Sequence, residues 1–287
     1  MSSKPSKNSI RSKRVLVTGG AGSIGSELVR QLVPHNKVFI LDNNETGMFD
    51  LVEENKQAGH WIHGRVGDVR EASTVEDVFS DFKPQVVFHA ASLKHVTPGE
   101  WSPIEYINTN IIGTYNVIKY AKKWECLEKF VFISTDKAVQ SSSIMGATKR
   151  VSEIITKNQG RGFVVVRFGN VLGSRGSVIP LWQKAINEGK PVKVTDEKMT
   201  RYMMTIEEAV NLVIKAAEMG KGGEIICLEM GKKVNILDLA KRIVKEAQVE
   251  NPIEIIGIRP GEQLTEKLMF EEEEAIVHRD GNFLVIQ

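Results

Sequence analysis

The stretch that decides the fold is Val15–Leu32, VLVTGGAGSIGSELVRQL. Arg14–Thr18 reads as a short buried strand, and Ile24–Leu32 has the spacing of a helix. Between them stands Gly20-Ala21-Gly22-Ser23-Ile24-Gly25, a GxGxxG with Gly19 in front of it. A lone GxGxxG says little. Placed after a strand and opening a helix, it is a phosphate-binding turn. Gly19, Gly22 and Gly25 let backbone approach a pyrophosphate, and Ser23 and Ile24 sit where a helix N-terminus offers free amides. A second strand, Lys37–Leu41, ends at Asp42, 17 residues beyond Gly25. A carboxylate there accepts hydrogen bonds from the adenosine ribose and repels a 2′-phosphate, so the expected cofactor is NAD rather than NADP.

The same alternation continues outward. Strands are expected at Trp61–Gly67, Val86–His89, Phe130–Ser134 and Phe163–Phe168, with helices at Tyr106–Lys122 and Gly146–Asn158. Apolar strands separated by helices mean a parallel sheet covered on both faces. After Asn170 the rhythm loosens. Helices are expected at Leu181–Asn187, Thr205–Glu218 and Ile236–Ala247, and strands at Glu224–Leu228 and Ile253–Ile258. The expected architecture is α/β: a Rossmann-like doubly wound parallel sheet over 13–169, with a smaller C-terminal α/β substrate lobe over 170–287. Residues 200–220 are expected to pack back on the first unit. Residues 1–12, polar and basic, read as a disordered leader without the apolar run of a signal peptide.

Composition narrows the partners. Of 287 residues, 41% are hydrophobic and 26% charged, and the net charge is +2, which gives no electrostatic case for nucleic acid or an anionic membrane. No apolar run reaches the roughly 18 residues needed to cross a bilayer. The cysteines, Cys126 and Cys227, form no CxxC pair, so neither a metal site nor a disulfide is expected and a cytoplasmic setting is the default. The acidic run Glu271–Glu274 reads as a solvated face.

The chemistry is expected at the end of the fifth strand, where Thr135-Asp136-Lys137 puts a hydroxyl, a carboxylate and an amine together. The next helix opens Met145-Gly-Ala-Thr-Lys149. A dehydrogenase of the tyrosine/lysine type has tyrosine where Met145 stands, and methionine transfers no proton. A literal YxxxK, Tyr115 to Lys119, lies on the helix before that strand and reads as surface decoration. Asp68, at the third strand end beside Val69, is placed for the adenine amine. Ala90 and Ala91, small residues after the fourth strand, suit a flat cofactor. His89 reads as a packed, satisfied histidine.

The glycine loop, FHAASLKHV, STDKAV, MGATKR, VRFGNVLGSRGSVIPL, MTRYMMTIEEA and IRPGEQL together resemble the nucleotide-sugar 4,6-dehydratases. These form the polysaccharide-biosynthesis branch of the extended short-chain dehydrogenase/reductases. The likeness runs from about residue 13 to 270. It implies NAD, a UDP-sugar substrate with UDP-N-acetylglucosamine foremost, and a homo-oligomer without direct membrane insertion. It implies Lys137 as base at sugar C5, Asp136 as acid at the C6 hydroxyl, Thr135 at the C4 oxygen and Lys149 at the nicotinamide ribose. As a base, Lys137 must be neutral, which calls for a lowered pKa. The methionine at 145 resembles members that retain the C5 configuration, and it leaves the C4 proton acceptor open, with Asp136 or an ordered water as candidates. By the same likeness Asn170 and Arg175 contact the diphosphate or uridine. Arg201 and Arg259 suit bidentate phosphate binding, Glu262 suits a ribose hydroxyl, and Lys94 lies near the sugar. Further C-terminal helices are expected beyond the acidic run. The rival readings are a C5-inverting dehydratase or epimerase, and a non-catalytic NAD-binding scaffold.

Overall fold

The computed structural model describes residues 10–287. The chain opens with β1 (Arg14–Thr18), α1 (Ser23–Leu32), β2 (Lys37–Asp42), α2 (Glu45–Gln57), β3 (His63–Val66), α3 (Ala72–Phe82) and β4 (Val86–His89). It continues through α4 (Val96–Trp101), α5 (Pro103–Tyr106), a π-helical segment at Ile107–Gly113, α6 (Thr114–Ala121), β5 (Lys129–Thr135), α7 (Ile144–Lys157) and β6 (Phe163–Phe168). The second half contains β7 (Asn170–Val171), α8 (Val178–Asn187), β8 (Val192–Val194), β9 (Thr200–Arg201), β10 (Met203–Met204) and α9 (Ile206–Met219). Then come β11 (Glu224–Leu228), β12 (Val234–Asn235), α10 (Ile236–Glu246), β13 (Ile253–Ile255), α11 (Glu271–Glu274), β14 (Val277–Asp280) and β15 (Phe283–Ile286).

One nine-stranded sheet runs β14-β15-β11-β6-β5-β4-β1-β2-β3. It is parallel from β3 to β11, and the β14–β15 hairpin closes it antiparallel. Strand order reverses between β1 and β4, so their carboxyl ends flank the crevice where a doubly wound sheet binds its ligand. One apolar layer packs Leu28 and Val29 of α1 and Val210 and Val213 of α9 on that sheet. The other packs Phe79 of α3 and Val117 and Ile118 of α6. A separate core around Trp182, Val192, Val194, Met199 and Leu239 holds the smaller lobe.

α9 packs Val210 and Val213 into the main core. Thr205 Oγ1 accepts from the Glu208 amide at 3.2 Å and Glu208 Oε2 from the Thr205 amide at 2.8 Å, a reciprocal cap that starts the helix. The boundary at residue 170 needs correcting. β11 pairs with β6, Ile225 against Val165, and β15 pairs with β11, so the chain leaves the sheet for its lobe and returns to finish it. The wholly buried strand Glu224–Leu228 is only satisfied between two neighbours. The leader expectation falls outside the described residues over 1–9. At its end, Ile10 is buried in the main core and its amide donates to Glu218 at 3.0 Å, so residues 10–12 belong to the folded unit. The acidic run is no solvated face throughout, because Glu273 is buried against Arg167.

Candidate active site

Gly19, at φ +70°, lies so close to the next strand end that a Cβ there would stand 2.5 Å from the Ala91 amide. Gly25 meets the Gly19 carbonyl in the same way, fastening α1 to the turn. Gly22 caps α1 without any side-chain bond, so the first amides of the helix remain open to a ligand. Gly19, Gly22, Ser23, Ile24, Gly25 and Ala90 line one end of a cavity of about 1190 Å³. This backbone cradle fits a pyrophosphate. Asp42 stands beside it, accepting from the Ala21 and Asn44 amides, each at 2.9 Å.

The far wall is β5 and the helix after it. Thr135, Lys137, Met145 and Lys149 all face the cavity. Asp136 does not. It is 1% exposed, and its Oδ1 accepts from Thr135 Oγ1 at 3.0 Å and Lys137 Nζ at 3.1 Å. The acid at this strand end therefore reaches the cavity through its two neighbours. Lys137 Nζ also bonds Asn170 Oδ1 at 3.1 Å and Glu266 Oε1 at 3.0 Å. Burial would lower its pKa, but the carboxylates of Asp136 and Glu266 raise it instead. The expected neutral Lys137 is thus corrected: at rest it is an ammonium. Burial raises Asp136 against the pull of Lys137, with Glu266 adding to the rise. Lys149 is the lowered amine. Burial brings it to about 7, with Glu153 opposing, and it donates to the Ile133 carbonyl over the Phe132 ring.

On the substrate side the cavity takes in Lys94, Asn170, Arg175, Arg201, Arg259 and Glu262. Lys94 is lowered by burial and by the facing cations Arg175 and Lys137, which marks a site short of negative charge. The Arg175 amide donates to Ser23 Oγ at 3.0 Å, tying its loop to the glycine turn. Arg259 and Glu262 are not independent contacts, since Nη2 holds Oε1 at 2.7 Å. Arg201 is no free phosphate binder. It donates to the carbonyls of Thr200, Gln263 and Leu264, and its Nε is ion-paired to Glu266 at 3.1 Å, so little of its guanidinium is left for a phosphate.

The structure does not bring Asp68, Val69 or Ala91 onto this wall. Burial pushes Asp68 up, but hydrogen bonds from Arg70 to its Oδ2 lower its pKa overall. Val69 is buried against Gly113, and Ala91 lies behind Gly19. His89 bonds Thr18 at 2.6 Å and Thr114 at 2.9 Å, packed as expected. Tyr115 is exposed on α6, away from the cavity. No cluster of metal-binding groups occurs among the described residues.

Two residues were missed. Glu266 is buried at the centre of the cluster, four residues past Glu262, in a loop whose only signal was a second acid after the RPGE turn. Asn110 sits in the π-helical segment, a kind of insertion frequent at functional sites. Its amide bonds both backbone groups of Leu93 and Thr148 Oγ1 at 2.8–3.0 Å, pinning the loop that carries Lys94 to α7.

Residues 15–287 match the family described as polysaccharide biosynthesis protein. The chain belongs to that family. This polysaccharide biosynthesis family member is 46% identical over 273 residues to the capsular polysaccharide biosynthesis protein CapD of Staphylococcus aureus, covering 91% of the chain and 45% of CapD. It is 34% identical to a UDP-N-acetylglucosamine 4,6-dehydratase (inverting) of Campylobacter jejuni, covering 96% of the chain and 82% of that protein. The structure of Pen from Bacillus thuringiensis superposes with TM-score 0.90 at 35% identity, covering 96% of this chain and 88% of Pen. The chain spans about half the length of CapD and of the Bacillus subtilis relative EpsC, 45% and 48%.

Proposed function

We propose that the chain catalyses the NAD-dependent 4,6-dehydration of a nucleotide sugar, UDP-N-acetylglucosamine foremost, with the C5 configuration retained. The observation that carries this reading is the wall of β5, where Thr135 and Lys137 face the cavity and both bond the buried Asp136. NAD, when bound, would supply the redox chemistry of the reaction, a hydride exchange between C4 and C6 with no net change of the cofactor. A bare 4-epimerase needs proton exchange at C4 alone. Three joined proton-carrying groups suit a reaction that also moves protons at C5 and at the departing C6 oxygen.

Gly22, Ser23 and Ile24 hold the pyrophosphate of the cofactor, and Asp42 its adenosine ribose. Lys149 would hold the nicotinamide ribose and, lowered to about 7 by burial, is about half amine at neutral pH and in that form open to a proton from C4. Thr135 donates to the C4 oxygen. Lys137 removes the C5 proton once its own has passed to Asp136. Arg175, Arg259 and Asn170 bind the sugar-nucleotide end, and Lys94 supplies positive charge. Met145 fills the space of a tyrosine without exchanging protons. The names of relatives support two outcomes, since UDP-glucose 4-epimerase of Rickettsia bellii is 35% identical. No helix among the described residues is long and apolar enough to cross a membrane.

Incubation with UDP-N-acetylglucosamine and NAD, followed by mass spectrometry, separates the readings. Dehydration lowers the sugar mass by one water. Unchanged mass with a C4 epimer contradicts it.

A further inference from the structure

Asp136 Oδ2 is buried and, among the described residues, has no hydrogen-bond donor facing it. An orphaned buried acceptor keeps the cost of leaving water with nothing in return, so such an atom calls for an explanation. Its neighbour is the Glu266 carboxyl, which lies within hydrogen-bonding reach. Both carboxyls also bond one nitrogen, Lys137 Nζ, at 3.1 and 3.0 Å. Two carboxylates so placed repel unless a proton lies between them, and one proton satisfies both the orphan atom and the repulsion. The other charged and titratable groups facing the pair are Arg201, bonded to Glu266 Oε1, and Tyr202, beside Gly169 and sensitive to the Asp136 charge.

We propose that Glu266 shares one proton with Asp136 across their facing carboxyls, and that this pair is the store that supplies the proton transfers of Lys137 and Thr135. The proposal rests on the dehydratase reading for the transfers, but not for the pair itself. Two carboxyls holding one proton have both a vacancy and a proton to give. Lys137 passes its ammonium proton to the vacancy and becomes an amine. The amine takes the C5 proton, and the C5–H electron pair forms the C5=C6 double bond. The C6–O bond breaks, and the oxygen leaves as water with a proton that Thr135 relays from Asp136. When C5 is reprotonated, Lys137 gives up one of its ammonium protons, by then exchanged with solvent, and is an amine again. The proton shed by the C4 hydroxyl, taken first by Lys149 and passed on through solvent, restores the ammonium, so one proton enters from C4 and one leaves with water. Glu266 acts as a positioning residue, because it touches Lys137 and Asp136 and leaves the reacting atoms to them.

The first arm of the test needs no substrate. Carboxyl carbons of the full chain, labelled with carbon-13 at Asp and Glu, are titrated by NMR. The wild type should show a carboxyl that still holds its proton above about pH 6, well above the ordinary range. That signal should vanish in both Glu266→Gln and Asp136→Asn. Its absence in the wild type, or its survival in Glu266→Gln, overturns the pair. The second arm follows single turnovers of UDP-N-acetylglucosamine in deuterated water. In Glu266→Gln, C4 oxidation should stay within about threefold, while C5 exchange and water loss fall together by about 100-fold, a typical loss for acid–base assistance. Glu266→Asp should recover part of it. Equal loss of oxidation, or unchanged C5 exchange, contradicts the store. If the wild type fails to release water at all, the dehydratase reading falls and the titration still decides the pair.

Discussion

Two buried charge clusters of the same composition, two cations and two carboxylates, are built on successive residues of β5. Ser134 Oγ donates to Glu153 at 2.6 Å, and Glu153 with Arg167, Glu273 and Arg150 makes the first cluster. Thr135 donates to Asp136, and Asp136 with Lys137, Glu266 and Arg201 makes the second. Neighbours on a strand point to opposite faces, so one strand end serves both. In the first cluster Arg167 is wholly buried and uses all five donors on Glu153, Glu273 and the Leu268 carbonyl. Its two glutamates find donors for every oxygen. In the second, Asp136 Oδ2 has no donor and Lys137 opens onto the cavity. A completed cluster fixes structure, whereas an incomplete one at a cavity wall has protons to trade.

Substitutions break this contrast in different ways. The largest effect falls on catalysis. Lys137→Ala should lower the rate of water loss by about 10²–10⁴-fold and stop C5 solvent exchange. The melting temperature should hold within a few degrees. Deuterium incorporation read by NMR checks the first, and a thermal melt the second. Arg167→Met attacks the other cluster. Leaving two buried carboxylates unpaired should cost about 3–5 kcal/mol of stability, while the fraction still folded keeps its activity. Denaturant titration paired with an active-site count checks both halves. Arg259→Ala should have a smaller effect, raising KM for the sugar nucleotide about tenfold with kcat little changed, since in the proposed function it binds the end of the substrate that does not react.

The smallest effect is on pH dependence. Asp136, raised to about 7 by burial with Glu266 adding to it, binds its proton more tightly in the folded chain than in the unfolded one. Stability present below the ordinary carboxylate range is therefore lost as pH rises through the folded value. Asp136→Asn removes that loss, so its melting temperature should gain a few degrees on the wild type from about pH 4 to about pH 7. The satisfied cluster runs the other way. Burial pushes Glu273 up, but Arg167 holds it lower overall, so that support fades as pH falls. A constant difference across the range would erase the distinction between the clusters.

The sequence carries the contrast unevenly. The glycine turn, the strand spacing and the Thr-Asp-Lys cluster are local patterns, and each is legible residue by residue. The return of β11 and the β14–β15 hairpin to the sheet is not, because Ile225 against Val165 is a pairing across 60 residues that no local pattern encodes. α2 hides for a related reason: only Met48, Leu51, Gly47 and Asn55 are buried along it, too few for a clear apolar face, and its start rests on the Asn44 cap. Glu266 and Glu273 are the instructive misses. A glutamate in an irregular loop drew no reading and one in a run of four acids read as solvated, and tertiary partners, Lys137 for one and Arg167 for the other, turned them inward. Arg201 errs in the opposite sense, since nothing in Met199-Thr-Arg201 shows that backbone carbonyls will consume its donors.

The most direct test of the account is an NMR time course of the wild-type chain with UDP-N-acetylglucosamine and NAD in deuterated water. The account expects a 4-keto-6-deoxy sugar nucleotide carrying one solvent deuterium at C5, with the C5 configuration of the substrate and no net consumption of NAD. A product that keeps its C6 hydroxyl, or a substrate left unchanged, would contradict it.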